Sequence, residues 1–160
     1  MVAYYDLELF MSELATLMKV QIPIYAAALN TEKDDNLLST NSIDDCYDTW
    51  SLADILPFSV SFLQHVAGDP TIRVLPQGRG AALSYPIRIS CFLQDTGDEN
   101  MPIIKARYNR VLLFIAMNEL VTSFPSVQPE TIDIDSMLIQ TENGATYEIA
   151  ALTFHVDFAY

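Results

Sequence analysis

Basic residues are scarce in this sequence: 8 Lys and Arg stand against 21 Asp and Glu, leaving 160 residues with a formal charge of −13. That shortage excludes a general nucleic-acid binder, whose affinity comes mainly from cations that neutralise phosphates. Only two cysteines and two histidines occur. Cys46 and Cys91 have no CxxC spacing and no neighbouring His. One disulfide would satisfy the count, but two idle thiols fit better, because free Cys behaves as a small apolar residue. Long apolar runs are missing as well. Val111 to Met117 falls far short of the roughly 20 residues that span a bilayer. The opening MVAYYDLELFMSEL has no basic residue and is interrupted by acids from Asp6 onward, so it is not expected to act as a secretory signal. The chain is expected to be made in a reducing interior, the cytoplasm, and kept there or released inside a larger particle.

What is present is material for one folded domain spanning 1–160. Apolar residues make up 51% of the chain, enough for a core that needs no staple. Charge is unevenly placed. Residues 1–60 hold ten acids and two bases, 61–110 hold four acids and six bases, and 111–160 hold seven acids and no base. The six bases of the middle third are Arg73, Arg79, Arg88, Lys105, Arg107 and Arg110. Such a division keeps molecules apart in solution, and it also suits subunits that meet through unlike faces.

Leu7, Phe10, Leu14, Leu17 and Met18 recur at spacings of three and four, which predicts an amphipathic helix over about 5–20 with Asp6 as its N-cap. Pro23 then limits Ile22 to Tyr25 to an edge strand or a strand start. From Asn30 to about residue 50 the chain is polar and acidic and reads as a long loop. Phe58, Val60 and Phe62 alternate with serines as in a strand with one solvated or partner-facing side. The stretch 64–84, rich in Gly and Pro, reads as a projecting loop in which Thr71 to Leu75 form one arm of a hairpin.

Tyr85, Ile87, Ile89, Cys91 and Leu93 give the best strand. Asn100 before Met101-Pro102 marks the start of a second helix over about 101–122. Its first half carries Lys105, Arg107 and Arg110, where the helix dipole prefers acids, so compensation from outside the helix is expected. Asn143-Gly144 predicts a closing hairpin. Within its second strand the apolar parity switches at Ala150-Ala151, which suggests a bulge. That strand is apolar to its end and would be open to pairing unless a partner covers it. The fold class is therefore α+β: two amphipathic helices on one face of a largely antiparallel sheet, with two long loops and a C-terminal hairpin.

Chemistry is sparse. His65 and His155 lack the pairings of a metal site or a general base, and His155 is expected to face solvent or a neighbour. Pro76 to Gly80 lacks the leading strand and the Lys-Ser/Thr of a phosphate loop. Asp34-Asp35, Asp44-Asp45-Asp48 and Asp133-Asp135 lack the calcium-loop pattern and read as solvated acids. No catalytic residue, cofactor or metal is expected.

The order of elements, with YPIRISCFLQ, PIIKARYNRVLLFIAMNELV and the closing IDIDSMLIQTENGATYEIAALTFHVDFAY, resembles the tail terminator proteins of tailed bacteriophages. The last strand has the form Leu-x-Phe-x-Val-x-Phe. The resemblance implies a small α+β virion protein that forms a homo-oligomeric ring, a hexamer, on the last ring of the tail tube. Such a ring ends elongation and joins the tail to the neck or connector protein, with DNA passing through rather than being specifically bound. Joined to the charge pattern, it points to Arg73, Arg79, Arg107 and Arg110 as contacts to a neighbouring subunit or the tube protein. Two alternatives remain open: another neck or head-completion subunit, and a small ligand-binding domain or enzyme, which predicts a closed polar pocket.

Overall fold

The computed structural model describes residues 6–39, 46–47, 60–74, 76, 80–95, 97–140, 144 and 146–159. Helix α1 (Leu7–Lys33) begins where the Asp6 carboxylate accepts the Leu9 N–H at 3.0 Å. It ends at Asp34, whose φ of 54° turns the chain out of the helix. The helix does not stop near residue 20, and no strand forms at Pro23, which lies inside it. The reason is the buried stripe: Phe10, Leu14, Met18, Ile22, Ala26 and Leu29 continue at i+4 and i+3 past the proline. Their burial outweighs the one backbone hydrogen bond that proline removes.

Among the described residues six strands follow: β1 (Cys46–Tyr47), β2 (Val60–Val66), β3 (Thr71–Val74), β4 (Ala81–Asp95), β5 (Val127–Gln140) and β6 (Thr146–Ala159). Their order is β1-β2-β4-β6-β5, with β3 paired to β4. Only β1 runs parallel to its neighbour, and the other five strands are antiparallel. Because β6 pairs with β4 along its whole length, β2 and β3 share the other edge of β4. The expected projecting loop 64–84 is thus largely strand, and its arm at Thr71 lies flat against β4. The closing strand is not open to pairing, since β6 sits between β4 and β5.

Helix α2 (Met101–Ile115) continues through a π-helical turn at Ala116–Leu120 and an α-helical turn at Val121–Ser123. It starts after Asn100 with Pro102 in its first turn, although the Asn100 side chain makes no capping bond. The Asn100 carbonyl accepts the Ile104 N–H at 2.9 Å instead.

Both helices cover one face of the sheet, so the molecule is an α+β fold. Ile87, Ile89, Cys91 and Leu93 of β4 and Leu152, Phe154, Val156 and Phe158 of β6 meet Phe10, Leu14, Met18, Val111, Leu112 and Ile115 of the helices. Within this core Cys91 is a buried free thiol, and burial pushes its ionisation up. The fully buried Gln64 reaches across from β2, donating its Nε2 hydrogen to the Met11 carbonyl at 2.6 Å and fixing α1 on the sheet. Asn30, also buried, exchanges two bonds with the Leu38 backbone, at 2.8 and 3.1 Å. That pair folds the chain back as it leaves α1.

On the other face Leu63, Phe92, Tyr147, Ile149 and Ala151 form a second buried cluster. This cluster explains the parity of the last strand. No bulge occurs at Ala150-Ala151, and the β4–β6 register runs unbroken from Ala82↔Ala159 to Asp95↔Thr146. The first half of β6 is simply buried on both sides. The irregularity lies in β5, between Gln128 and Asp133. There Pro129 has no N–H to give, and the Thr131 hydroxyl accepts the His155 N–H at 2.8 Å.

Candidate functional site

Among the described residues, the bases of the middle third fall on two separate surfaces. Lys105, Arg107 and Arg110 lie on α2, beside the C-terminal end of α1. Arg107 Nη1 bonds both carboxylate oxygens of Asp35, at 2.7 and 2.8 Å. Arg110 meets Glu32 at 3.1 Å, and its guanidinium carbon sits 5.0 Å from the centre of the Phe114 ring. Lys105 stands 3.7 Å from Glu148 of β6. These three acids offset the unfavourable position of the cations on the helix dipole, and they belong to the same chain. The Arg107 guanidinium in turn holds the Asp35 carboxyl below its ordinary range. Lys33, Pro102, Ile103, Ala106, Arg107 and Arg110 line an open groove of about 480 Å³.

Arg73 lies elsewhere, on the face of the sheet opposite α1 and α2. It bonds Asp157 at 2.9 Å, and the Gln128 amide reaches both Asp157 and the Ser84 hydroxyl. Arg79 lies outside the described residues. The fold therefore does not bring Arg73 together with Arg107 and Arg110. Their commitment also differs: the Arg107 side chain is 14% exposed, while those of Arg110 and Arg73 are 38% and 56% exposed.

Arg88 was not singled out by the sequence pattern, yet it is more enclosed than Arg73 on that same face, 17% against 56% exposed. It donates from Nε to Ser90 Oγ at 3.2 Å and from Nη1 to Asp135 at 3.2 Å, and it pairs across the strands with His65. Its position at a polar site among alternating isoleucines was the available signal. His155, expected toward solvent or a neighbour, is partly buried on the same face. Asp133 and Asp135 do share that face, but Asp135 is occupied by Arg88. Among the described residues no three His, Cys, Asp or Glu side chains gather as metal ligands, and no helix is long and apolar enough to cross a membrane.

Burial first, and then the Arg88 charge, hold His65 below the ordinary imidazole range. The folded chain thus takes up this proton less readily than the unfolded chain. The associated stability is whole above pH about 6.5, the unfolded value, and is lost as pH falls through the lower folded value. Urea unfolding between pH 7.5 and 5 should show this decline, and His65→Gln should flatten it. An unchanged slope in that variant would assign the decline to other groups.

The two ends of the sheet are the most unusual surfaces. Ile72 and Val74 of β3 are 75% and 76% exposed, and Leu138 of β5, on the opposite edge, is 63% exposed. Comparison with protein-family models and with curated proteins finds no match for this chain.

Proposed function

We propose that this chain is a structural virion protein of the tail terminator kind: six copies close into a ring that caps the tail tube, ends its elongation and joins the tail to the neck. The observation that carries this reading is the pair of unlike open sheet edges, β3 and β5. An edge strand left uncovered invites pairing, and Ile72 and Val74 on β3 and Leu138 on β5 leave apolar surface at both edges. Two different edges on opposite sides favour head-to-tail contacts, which give a ring when the rotation between copies closes. The order of elements, a long helix, an antiparallel sheet, a second helix and two long closing strands, supports the terminator kind within that class. The role is structural rather than catalytic, the place is the virion at the junction of tail and neck, and assembly takes place in the host cytoplasm. Of the basic residues assigned to subunit or tube contacts, Arg73 and Arg110 still present charge outward, whereas Arg107 serves its own chain.

Light scattering of the purified protein, alone and with tail tubes, tests the reading together with micrographs of particles assembled without it. A six-copy ring and tails of abnormal length are expected. Tails of normal length that lack heads would transfer the protein to the connector. A persistent monomer whose omission leaves tails unchanged would overturn the proposal.

A further inference from the structure

We infer that β3 of one copy pairs antiparallel with the outer edge of β5 in the next copy, with Arg73 opposite Asp133. This contact rests on the ring reading and names the segments that would build it. Three independent features of the two strands agree.

The first is direction. β3 is antiparallel to β4, β4 to β6 and β6 to β5, so β3 and β5 run in opposite senses within one chain. Copies related by rotation about an axis parallel to the strands keep the same strand sense. The arm of one copy then meets the edge of the next as an antiparallel pair.

The second is facing. Directly paired residues project to the same side of a sheet. Ile72 pairs with Leu83 and Val74 with Ala81, on the parity of Ile87 and Ile89, which face the helices. Ile134 pairs with Leu152 and also faces the helices, while Asp133 pairs with Thr153 on the opposite side. Arg73 opposite Asp133 places Ile72 opposite Ile134 and Val74 opposite Ile132. Apolar meets apolar on one face, and opposite charges meet on the other.

The third is charge. β3 contains one base and no acid, and β5 contains Glu130, Asp133 and Asp135 and no base. Arg73 already bonds Asp157 through one nitrogen, but a guanidinium has five N–H donors and can hold a second carboxylate. Asp133 Oδ1 accepts the Ile134 N–H, which leaves its other oxygen for a guanidinium.

Arg73→Asp and Asp133→Arg, each alone and then mixed in equal amounts, provide the test. Each single variant should lose self-association by about tenfold or more, because like charges then face each other across every contact. The mixture should assemble: the reversed arm of one variant meets the reversed edge of the other, and the alternate contacts remain those of the native protein. Thermal melting like that of the native chain would show that each variant is folded. As a second measurement, Ile72→Cys combined with Ile134→Cys should give a ladder of cross-linked copies on a non-reducing gel after oxidation.

Folded single variants that assemble normally, or a mixture that remains dissociated, would overturn this contact while native rings kept the ring reading standing. Cross-linked dimers and higher species support the contact, and their absence from native-like rings counts against it. A native chain that never associates, alone or on tubes, would remove the ring reading and this contact together.

Discussion

Phe10→Ala is expected to lower the unfolding free energy by about 3–5 kcal/mol, the usual range for deleting a fully buried Phe. Phe10 has no exposed surface, and its ring stands edge-on to Phe124, Phe158 and Phe154 at centroid distances of 5.1, 6.0 and 6.4 Å. It therefore joins α1, the end of the second helical segment and the inner strand β6. Truncation removes apolar burial and three edge contacts at once, and the surrounding sheet cannot collapse into the space. Against a total of about 5–15 kcal/mol the loss is large, and melting should fall by on the order of 10 °C. Leu9→Ala, one residue away and 44% exposed, should change stability by no more than about 0.5 kcal/mol. Equal losses in the two variants, measured by urea unfolding, would show that the core does not centre on Phe10.

Pro23→Ala should act in the opposite direction, raising stability by about 2 kcal/mol. Within a helix proline costs about 3 kcal/mol relative to alanine, because the N–H is missing and the ring crowds the preceding turn. Proline returns part of that cost, about 0.4–1 kcal/mol, by restricting the unfolded chain. Since Pro23 lies well inside a 27-residue helix and is only partly buried, alanine fits without loss of core. A rise in the urea midpoint at constant slope is the expected result. A fall would mean that the fold depends on a bend at Pro23.

Local signals in the sequence were reliable where a single residue or a short period decides the outcome. Asp6 starts α1 as expected, because an acceptor side chain before an apolar stripe leaves few alternatives. The second helix matches its expected span closely, and β4 follows the alternation from Tyr85 to Leu93. Pro23 misled because its local penalty is legible, whereas the burial of Ile22, Ala26 and Leu29 is a property of the assembled core. The parity change at Ala150-Ala151 misled for a related reason. A sequence shows which residues are apolar, but not whether the second face of a strand is covered, as it is at Tyr147 and Ile149. The actual irregularity, at Pro129 to Ile132, makes sense only once Thr131 is seen to supply a hydrogen-bond acceptor to β6.

The candidate surface divides in the same way. The sequence identified three cations at the wrong end of a helix dipole and required compensation from elsewhere. It could not name Asp35, 72 residues before Arg107, because contacts at that separation arise only when α1 and α2 pack antiparallel on the sheet. Likewise a basic middle third was plain from composition, but its separation into Arg107 and Arg110 on the helix layer and Arg73 on the opposite face of the sheet follows from strand parity and topology.

By itself, then, the sequence determined the fold class, the two helix starts, the strongest strand and the shortage of cations. Each depends on periodicity, capping or composition, which neighbours along the chain control. Tertiary structure decided the length of α1, the place of β6 between β4 and β5, the in-chain partners of Arg73, Arg107 and Arg110, and which strands remain as open edges. Those outcomes depend on which distant surfaces bury one another, and burial is settled only when the whole sheet and both helices are in place.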